Sequence, residues 1–282
     1  MVAALGTGLV NGFALALVAL GFTIVVRATG VVNFANGSQM VLGGYAAWKL
    51  TAWGVPVVPA MAGAVVVGAA SGWIINSAAL RPLRSASLLA QVIVLLAVSE
   101  VASTLFQQLF GPDTQTMQPY ASRTAVIHIL GWSGMDVVLM IVAVVLVLAL
   151  TAWLRFTTEG LRMRMVASNQ LGALIVGVNP ARTSTIAWSV GGALAALSGA
   201  LIFPTYALAP NLGQQYTFDS FAAVVLGGFG SLPGAVTGGV LIGLVQAVVA
   251  QVGGAQYGAF VSLGVMLLVL LVRPNGLLGT RS

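Results

Sequence analysis

The fold class is decided by an apolar stretch near the start of the chain, LGTGLVNGFALALVALGFTIVV, which covers Leu5–Val26 and holds no charged residue. A bilayer core of about 30 Å requires roughly 20 apolar residues in a helix. The stretch is too long for the core of a signal peptide, and no Lys or Arg precedes it. We therefore predict that it is a first membrane-spanning helix.

The same apolar character continues along the chain. Of its 282 residues 59% are hydrophobic and 6% are charged, whereas about a quarter of the residues in soluble domains are charged. Eight further apolar segments are bounded by charged residues, Pro or Gly: Phe34–Thr51, Val57–Leu80, Leu88–Phe110, Asp136–Leu154, Thr183–Phe203, Phe218–Phe229, Ala235–Val252 and Tyr257–Val272. The sequence predicts an all-α integral membrane protein, a polytopic bundle of about eight or nine transmembrane helices forming one domain over residues 1–282. The segment Phe218–Phe229 is so short that we expect a half-helix or a re-entrant element there.

The cations indicate an orientation. With nine crossings, Lys49 and Arg123 fall on one side of the membrane and nine arginines on the other: Arg27, Arg81, Arg84, Arg155, Arg162, Arg164, Arg182, Arg273 and Arg281. The side with more Lys and Arg is normally cytoplasmic. We therefore predict an N-terminus outside and a C-terminus in the cytoplasm.

Composition excludes several functions. The chain has no cysteine and a single histidine, His128, so thiolate and His-cluster metal sites are excluded. Its only lysine, Lys49, lies in Trp-Lys-Leu, so there is no P-loop for ATP hydrolysis. The sequence has no basic run with interleaved aromatic residues, so we do not expect a nucleic-acid-binding surface. The five carboxylates are scattered, which argues against a membrane enzyme, and we predict neither a catalytic residue, a metal nor a cofactor.

A first polar island, GVVNFANGSQ, covers residues 30–39 between the first two predicted spans. Unpaired amides and hydroxyls facing lipid cost several kcal/mol, so we expect four polar side chains to face protein or a substrate pathway: Asn33, Asn36, Ser38 and Gln39. The alternative is a helix start in which Asn36 or Ser38 caps free backbone amides.

A second island, LGGFGSLPG, covers residues 226–234 and contains five helix breakers within eight residues. Broken helices are the places where transporters expose backbone to a polar cargo. The alternative is a simple cytoplasmic turn. A dinucleotide-binding loop is excluded, because no strand precedes the glycines.

Glu100 lies near the middle of Leu88–Phe110 and is the one carboxylate that we expect deep in a span. Ionisable residues in such positions are candidates for function. The alternatives are a transport role, which a secondary transporter or channel acting alone would require, and a buried group hydrogen-bonded to Ser99, Ser103 or Gln107.

The longest predicted cytoplasmic segment, Arg155–Arg182, contains apolar residues at helical spacing: Leu171, Leu174, Ile175 and Val178. This spacing predicts a short amphipathic helix that ends near Gly177 and Pro180. Such a helix either lies on lipid headgroups or docks in the groove of a partner.

Three stretches together resemble one family. They are the Asn-Phe-Ala-Asn-Gly core within Gly30–Gly37, the second signature within Ala223–Ala235, and the tail Arg273–Gly279. They are similar to the motifs of bacterial branched-chain amino-acid permeases, the membrane subunits of ABC importers, and the short N-terminus resembles the smaller of the two permease types. That family usually has histidine at the position of Asn36, and in its coupling loop Glu and Ala replace Leu171 and Gly172.

The resemblance implies a second permease chain, commonly a different one, two cytoplasmic ATPase subunits and an extracytoplasmic solute-binding protein, all at a bacterial inner membrane. The cargo would be branched-chain or related amino acids, with urea or short amides as the alternative. Our hypothesis for the substrate pathway is Asn33, Phe34, Asn36, Gly37, Ser38, Glu100, Gly227, Gly228, Gly230 and Ser231. Our hypothesis for ATPase coupling is Arg164, Leu171, Ala173, Leu174, Ile175, Gly177 and Val178.

Overall fold

The computed structural model describes residues 2–116, 134–254, 257–273 and 276–278. Within these ranges the secondary structure is helical, and no strand is present. The helices are α1 (Val2–Thr29), α2 (Asn36–Ala52), α3 (Val57–Ile74), α4 (Leu88–Phe110), α5 (Gly134–Phe156), α6 (Thr158–Ser168), α7 (Gln170–Ile175), α8 (Pro180–Ile202), α9 (Leu212–Gly227), α10 (Leu232–Gly253) and α11 (Gly258–Val272). A π-helical turn, Ile75–Leu80, extends α3.

Among the described residues, six helical segments are long and apolar enough to cross a membrane, and α2, α9 and α11 are shorter. The prediction of a polytopic helical membrane protein is therefore confirmed. The six segments are Leu5–Thr29, Val57–Leu83, Leu88–Phe110, Val137–Phe156, Pro180–Ile202 and Leu232–Gly253.

Several arginines gather at one end of the bundle, as the predicted topology requires. Arg27, Arg155 and Arg164 line one pocket, and Arg84 shares a neighbouring pocket with Thr29, two residues after Arg27. We call this the arginine end and the opposite one the far end. Which of the two faces the cytoplasm stays a prediction. Arg123, His128 and Arg281 lie outside the described residues.

The core is built on α1 and α8. In the apolar stretches of these two helices, 78% and 67% of the residues are buried, whereas only 11% are buried in α4 at the periphery. Small residues allow the close approach: Gly21 of α1 lies against Gly191 of α8, and Gly12 lies against Val240 of α10. Such backbone packing stabilises helix pairs in lipid, where no water is expelled.

Two helices begin inside the bundle. The side-chain amide of Asn36, at the start of α2, donates from Nδ2 to the carbonyl oxygen of Val18 (2.9 Å). Val18 precedes Arg27 by nine residues on α1, which is about 14 Å along a helix. Gly213, at the start of α9, packs against Gly37. The N-termini of α2 and α9 therefore meet within the membrane, and from there α9 runs to the arginine end and α2 to the far end.

The predicted half-helix Phe218–Phe229 exists, but its bounds were wrong. Helix α9 begins six residues earlier, at Leu212, and ends at Gly227. Its first turns carry Gln214 and Gln215, which are polar and exposed and lie outside the predicted apolar segment.

Candidate functional site

The meeting point of α2 and α9, which we call the junction, is closed by two glycines. A Cβ on Gly37 would overlap the carbonyl oxygen of Gly213. The backbone amide of Gly37 donates to Oγ1 of Thr217 (3.0 Å), so α9 supplies a cap for α2. The alternative in which Asn36 or Ser38 caps α2 was wrong, because neither side chain accepts a bond from a free amide of this helix.

A chain of polar side chains leads away from the junction. Asn33 donates to Oε1 of Gln39 (3.0 Å), and Nε2 of Gln39 donates to Oγ of Ser71 on α3 (3.2 Å). On the other side the hydroxyls of Ser38 and Ser99 lie 2.6 Å apart, which joins α2 to α4. Asn33, Ser38, Gln39 and Ser99 are buried. In this conformation they bond to one another and tie three helices to the junction.

Aromatic rings connect the two islands. The ring centroid of Phe34, in the first island, lies 5.6 Å from the ring centroid of Phe221. The ring centroid of Phe229, in the second island, lies 5.9 Å from that of Phe221. Phe221 also contacts Phe22 on α1. Sequence reasoning missed Phe221, although it follows Thr217 by four residues and so shares a helix face with it.

The second island is a turn, which was the alternative interpretation. Helix α9 ends at Gly227, and α10 begins at Leu232 with the hydroxyl of Ser231 accepting from the amide of Gly234 (3.1 Å). Gly228 and Gly230 have φ of +102° and +77°, which only glycine adopts easily. Gly230 and Gly30 line one pocket of about 720 Å³ at the arginine end, so the ends of both islands meet there.

Part of the C-terminal tail packs on the same turn. The backbone amides of Leu277 and Leu278 donate to the carbonyl oxygens of Leu226 (2.8 Å) and Gly227 (3.0 Å). These bonds satisfy carbonyls that the end of α9 leaves free. Two of the motifs that carry the family resemblance therefore support each other.

A buried carboxylate was missed by sequence reasoning. Asp219 on α9 is 4% exposed and lies beside the polar side chains of Gln246 and Ser262. Gln246 donates to Oγ of Ser262 (2.8 Å) and accepts from Asn11 on α1 (3.1 Å). Glu100 lies near the middle of its span as expected, but the carboxylate that is buried in the bundle is Asp219. Asp219 was overlooked because it lies at the edge of the predicted segment Phe218–Phe229.

Glu100 itself lies on the outer surface of α4, where it is exposed. Its expected partners bond elsewhere: Ser99 lies against Ser38, and Ser103 donates to the carbonyl oxygen of Pro210 (3.2 Å). Within the described part of the chain no ion pair or side-chain hydrogen bond reaches its carboxylate. The interpretation of Glu100 as a buried, hydrogen-bonded group was therefore wrong.

The predicted amphipathic helix corresponds to α7 at the arginine end. Asn169 caps it by accepting from the amide of Gly172 (2.9 Å). Ala173 is buried, whereas Leu171, Leu174 and Ile175 are 73%, 54% and 86% exposed. The chain turns at Gly177 (φ +81°), and the amide of Val178 bonds back to Ala173 (2.8 Å). Arg164 belongs to the preceding helix, α6, and lines a pocket instead of this apolar face.

Comparison with known proteins agrees with this architecture. A family model described as "Branched-chain amino acid transport system / permease component" matches residues 4–270. The chain is 31% identical to the high-affinity branched-chain amino acid transport system permease protein LivH of Escherichia coli (strain K12), covering 96% of this chain and 93% of that one. It is 32% identical to the corresponding permease protein BraD of Pseudomonas aeruginosa, covering 96% and 94%.

A more distant match is the ribose import permease protein RbsC of Escherichia coli (strain K12), which is 25% identical and covers 92% of this chain and 82% of that one. Among solved structures, PsaBC from Streptococcus pneumoniae in complex with Fab has a similar fold, with a TM-score of 0.54, 12% identity, and coverage of 95% of this chain and 91% of that one. The named relatives are transport permeases and not enzymes, and the apolar helices make this chain a multi-pass inner membrane protein. The chain belongs to the family of branched-chain amino acid transport system permease components.

Proposed function

We propose that this chain is the permease subunit of an ABC importer that moves branched-chain or related amino acids into the cytoplasm. An extracytoplasmic binding protein delivers the solute, and two separate cytoplasmic subunits hydrolyse ATP. The names of LivH and BraD support the cargo. The absence of a P-loop in the sequence supports a separate motor.

The observation that carries the proposal is the exposed apolar face of α7. Leu171, Leu174 and Ile175 stand open at the arginine end, the end that the positive-inside rule assigns to the cytoplasm. Burying one such side chain contributes about 1.5–3 kcal/mol, so a groove on an ATPase subunit gains much by covering all three. Ala173, Gly177 and Val178 hold the helix in place, and Arg164 stands behind it on α6.

The test replaces two of these residues in the complex purified from its native membrane. Leu174→Asp with Ile175→Asp places two carboxylates in the apolar groove, so we expect the ATPase subunits to stop co-purifying and ATP-driven uptake to be lost. Leu174→Met with Ile175→Val keeps the face apolar and serves as the matched control. Unchanged uptake by the double aspartate variant would overturn the assignment of α7.

A second permease chain is proposed to face the outer surface of α4. Glu100 lies at mid-helix, and Thr104 and Gln107 follow at the spacing that places them on the same face. All three are exposed. A carboxylate at the centre of a lipid-facing helix costs about 2.5–3.5 kcal/mol on insertion scales. A water-filled pathway between two permease chains removes that cost.

The start of α9 adjoins this face of α4, because Ser103 of α4 bonds to Pro210 (3.2 Å). Asn211 and Gln214 of that region are exposed. One layer behind, the Ser38–Ser99 contact connects the face to the junction. We infer that α2 and α9 rock about the junction during alternating access. This motion would expose the remaining predicted pathway residues to the substrate: Asn33, Phe34, Asn36, Gly37, Ser38, Gly227, Gly228, Gly230 and Ser231.

A further inference from the structure

A pocket of about 140 Å³ lies at the arginine end, and Arg164 is the one residue that it shares with those proposed for transport and ATPase coupling. It lies between α1, α5, α6 and α10. Its floor is apolar and buried, formed by Ile24, Leu154, Met163 and Leu232. Three arginines line the same pocket: Arg27 at the end of α1, Arg155 at the end of α5, and Arg164 on α6.

These three arginines have no carboxylate partner among the described residues. The carboxylates whose side chains are described are Glu100, Asp113, Glu159 and Asp219. Only Glu159 lies at the arginine end, and it pairs with Arg162 and approaches Arg182 (3.9 Å). Arg27 and Arg164 lie close enough to repel each other, and Arg164 donates to the backbone carbonyl of Arg155 (3.2 Å). The three exposed guanidinium groups therefore concentrate positive charge where an external anion can reach them.

The surroundings of the pocket indicate what carries that anion. Thr151 lines it and lies on the outer face of α5. Leu148 and Val144 follow on the same face, one and two turns deeper in the membrane, and are 64% and 41% exposed. An apolar stripe thus runs from hydrocarbon depth down to Arg155, four residues beyond Thr151. An acyl chain can pack along this stripe, whereas a free inorganic anion gains no binding energy from an apolar surface.

We propose that Arg27, Arg155 and Arg164 form a binding site for the phosphate headgroup of an anionic phospholipid in the leaflet at the arginine end. Guanidinium groups match phosphate geometry through paired hydrogen bonds. Basic pockets between transmembrane helices at the cytoplasmic surface are typical places for anionic lipid headgroups. The acyl chains lie along Thr151, Leu148 and Val144. The site is separate from α7 and does not depend on the cargo.

The test measures lipid binding to the full chain, purified in detergent, by native mass spectrometry and by thermal unfolding. The probes are dioleoyl phosphatidylglycerol, dioleoyl phosphatidylcholine and inorganic phosphate. We expect phosphatidylglycerol to bind and stabilise the chain in preference to the other two. Arg155→Gln with Arg164→Gln should weaken its binding about 25-fold, at about fivefold for each guanidinium near the membrane surface.

Two further variants serve as controls. Arg162→Gln removes an arginine of the same helix that pairs with Glu159 and does not line the pocket, so its lipid affinity should equal that of the wild type. Arg155→Lys with Arg164→Lys keeps the charge but not the paired hydrogen bonds, so its affinity for phosphatidylglycerol should lie between those of the wild type and the glutamine variant. It replaces the glutamine variant in the measurement if that variant does not fold.

Several outcomes would overturn the proposal. Equal affinity of the wild type and the glutamine variant for phosphatidylglycerol removes the arginines from the site. Equal binding of phosphatidylcholine removes the charge preference, and stabilisation by inorganic phosphate at the same concentration indicates a simple anion site. If the glutamine variant binds lipid as the wild type does but no longer co-purifies with the ATPase subunits, the pocket is a protein-docking surface. Since lipid is measured on the isolated chain, a negative result leaves the assignment of α7 standing.

Discussion

Among the described side chains, two carboxylates lie at membrane depth, and their surroundings are opposite. Asp219 on α9 is buried beside the polar side chains of Gln246 and Ser262. Glu100 on α4 is exposed, and no ion pair reaches it within the described residues. A carboxylate that is enclosed by polar side chains of its own chain belongs to the architecture. One that points away from the chain at the same depth requires another molecule.

The same division separates two larger regions. The interior around the junction satisfies its polar groups within the chain, through Thr217, Gln39 and Ser99. The outer face of α4 and the apolar face of α7 leave side chains open. If this comparison is right, changes in the interior reduce the stability of the isolated chain, and changes on the open faces reduce transport without reducing stability.

The largest effect on stability is expected at the junction. In Gly37→Val the new side chain overlaps the backbone of Gly213, where no flexible side chain can move aside. We expect a loss of about 3 kcal/mol or more in the free energy of unfolding, measured by thermal unfolding of the purified chain. Gly264→Val is the control, because a Cβ at Gly264 meets no atom within 4 Å. Equal stability of the two variants would mean that the junction is not closely packed.

A smaller effect is expected at Asp219. In Asp219→Leu the buried polar side chains beside it, Gln246 and Ser262, face an apolar group in place of a carboxylate, and a buried polar group left unsatisfied costs about 1–3 kcal/mol. Asp219→Asn keeps an acceptor oxygen and should lose less. The same unfolding measurement ranks the two variants. A leucine variant as stable as the wild type would show that this network does not stabilise the fold.

The smallest effect on stability is expected at Glu100. Because its side chain contacts no polar partner, Glu100→Leu should change the free energy of unfolding by less than about 0.5 kcal/mol. Uptake by the native complex should nevertheless fall, since the pathway loses its charge, and Glu100→Gln should retain part of it. Full uptake by the leucine variant would remove α4 from the pathway. Uptake that depends on Glu100 but persists after ATP depletion would favour a secondary transporter.

Much of the fold follows from the sequence, because length, charge and helix breakers decide where spans begin and end. The segment Leu88–Phe110 matches α4 residue for residue. The spacing of Leu171, Leu174, Ile175 and Val178 indicates an amphipathic helix, which forms but ends at Ile175, before Val178. Where a helix is apolar on nearly all sides, however, the sequence pattern does not indicate which face is buried. The exposure of Glu100 was therefore not predicted, and Asp219 was not singled out.

The junction could not be predicted for a different reason. It depends on Gly37 and Gly213, which are 176 positions apart in the sequence, and on a cap that one helix provides for another. The start of α9 at Leu212 was also missed, because Gln214 and Gln215 in its first turns are polar and interrupt the apolar segment. Contacts of this kind arise from tertiary packing and leave no local pattern.

The central claim is that this chain is a gate moved by a motor that it does not contain, and reconstitution tests it most directly. The chain alone is placed in sealed vesicles with ATP available, and the accumulation of a labelled branched-chain amino acid is measured. The same vesicles containing the complex purified from the native membrane, together with its binding protein, serve as the positive control. The account predicts accumulation by the complex and none by the chain alone. Sustained accumulation by the chain alone would contradict it.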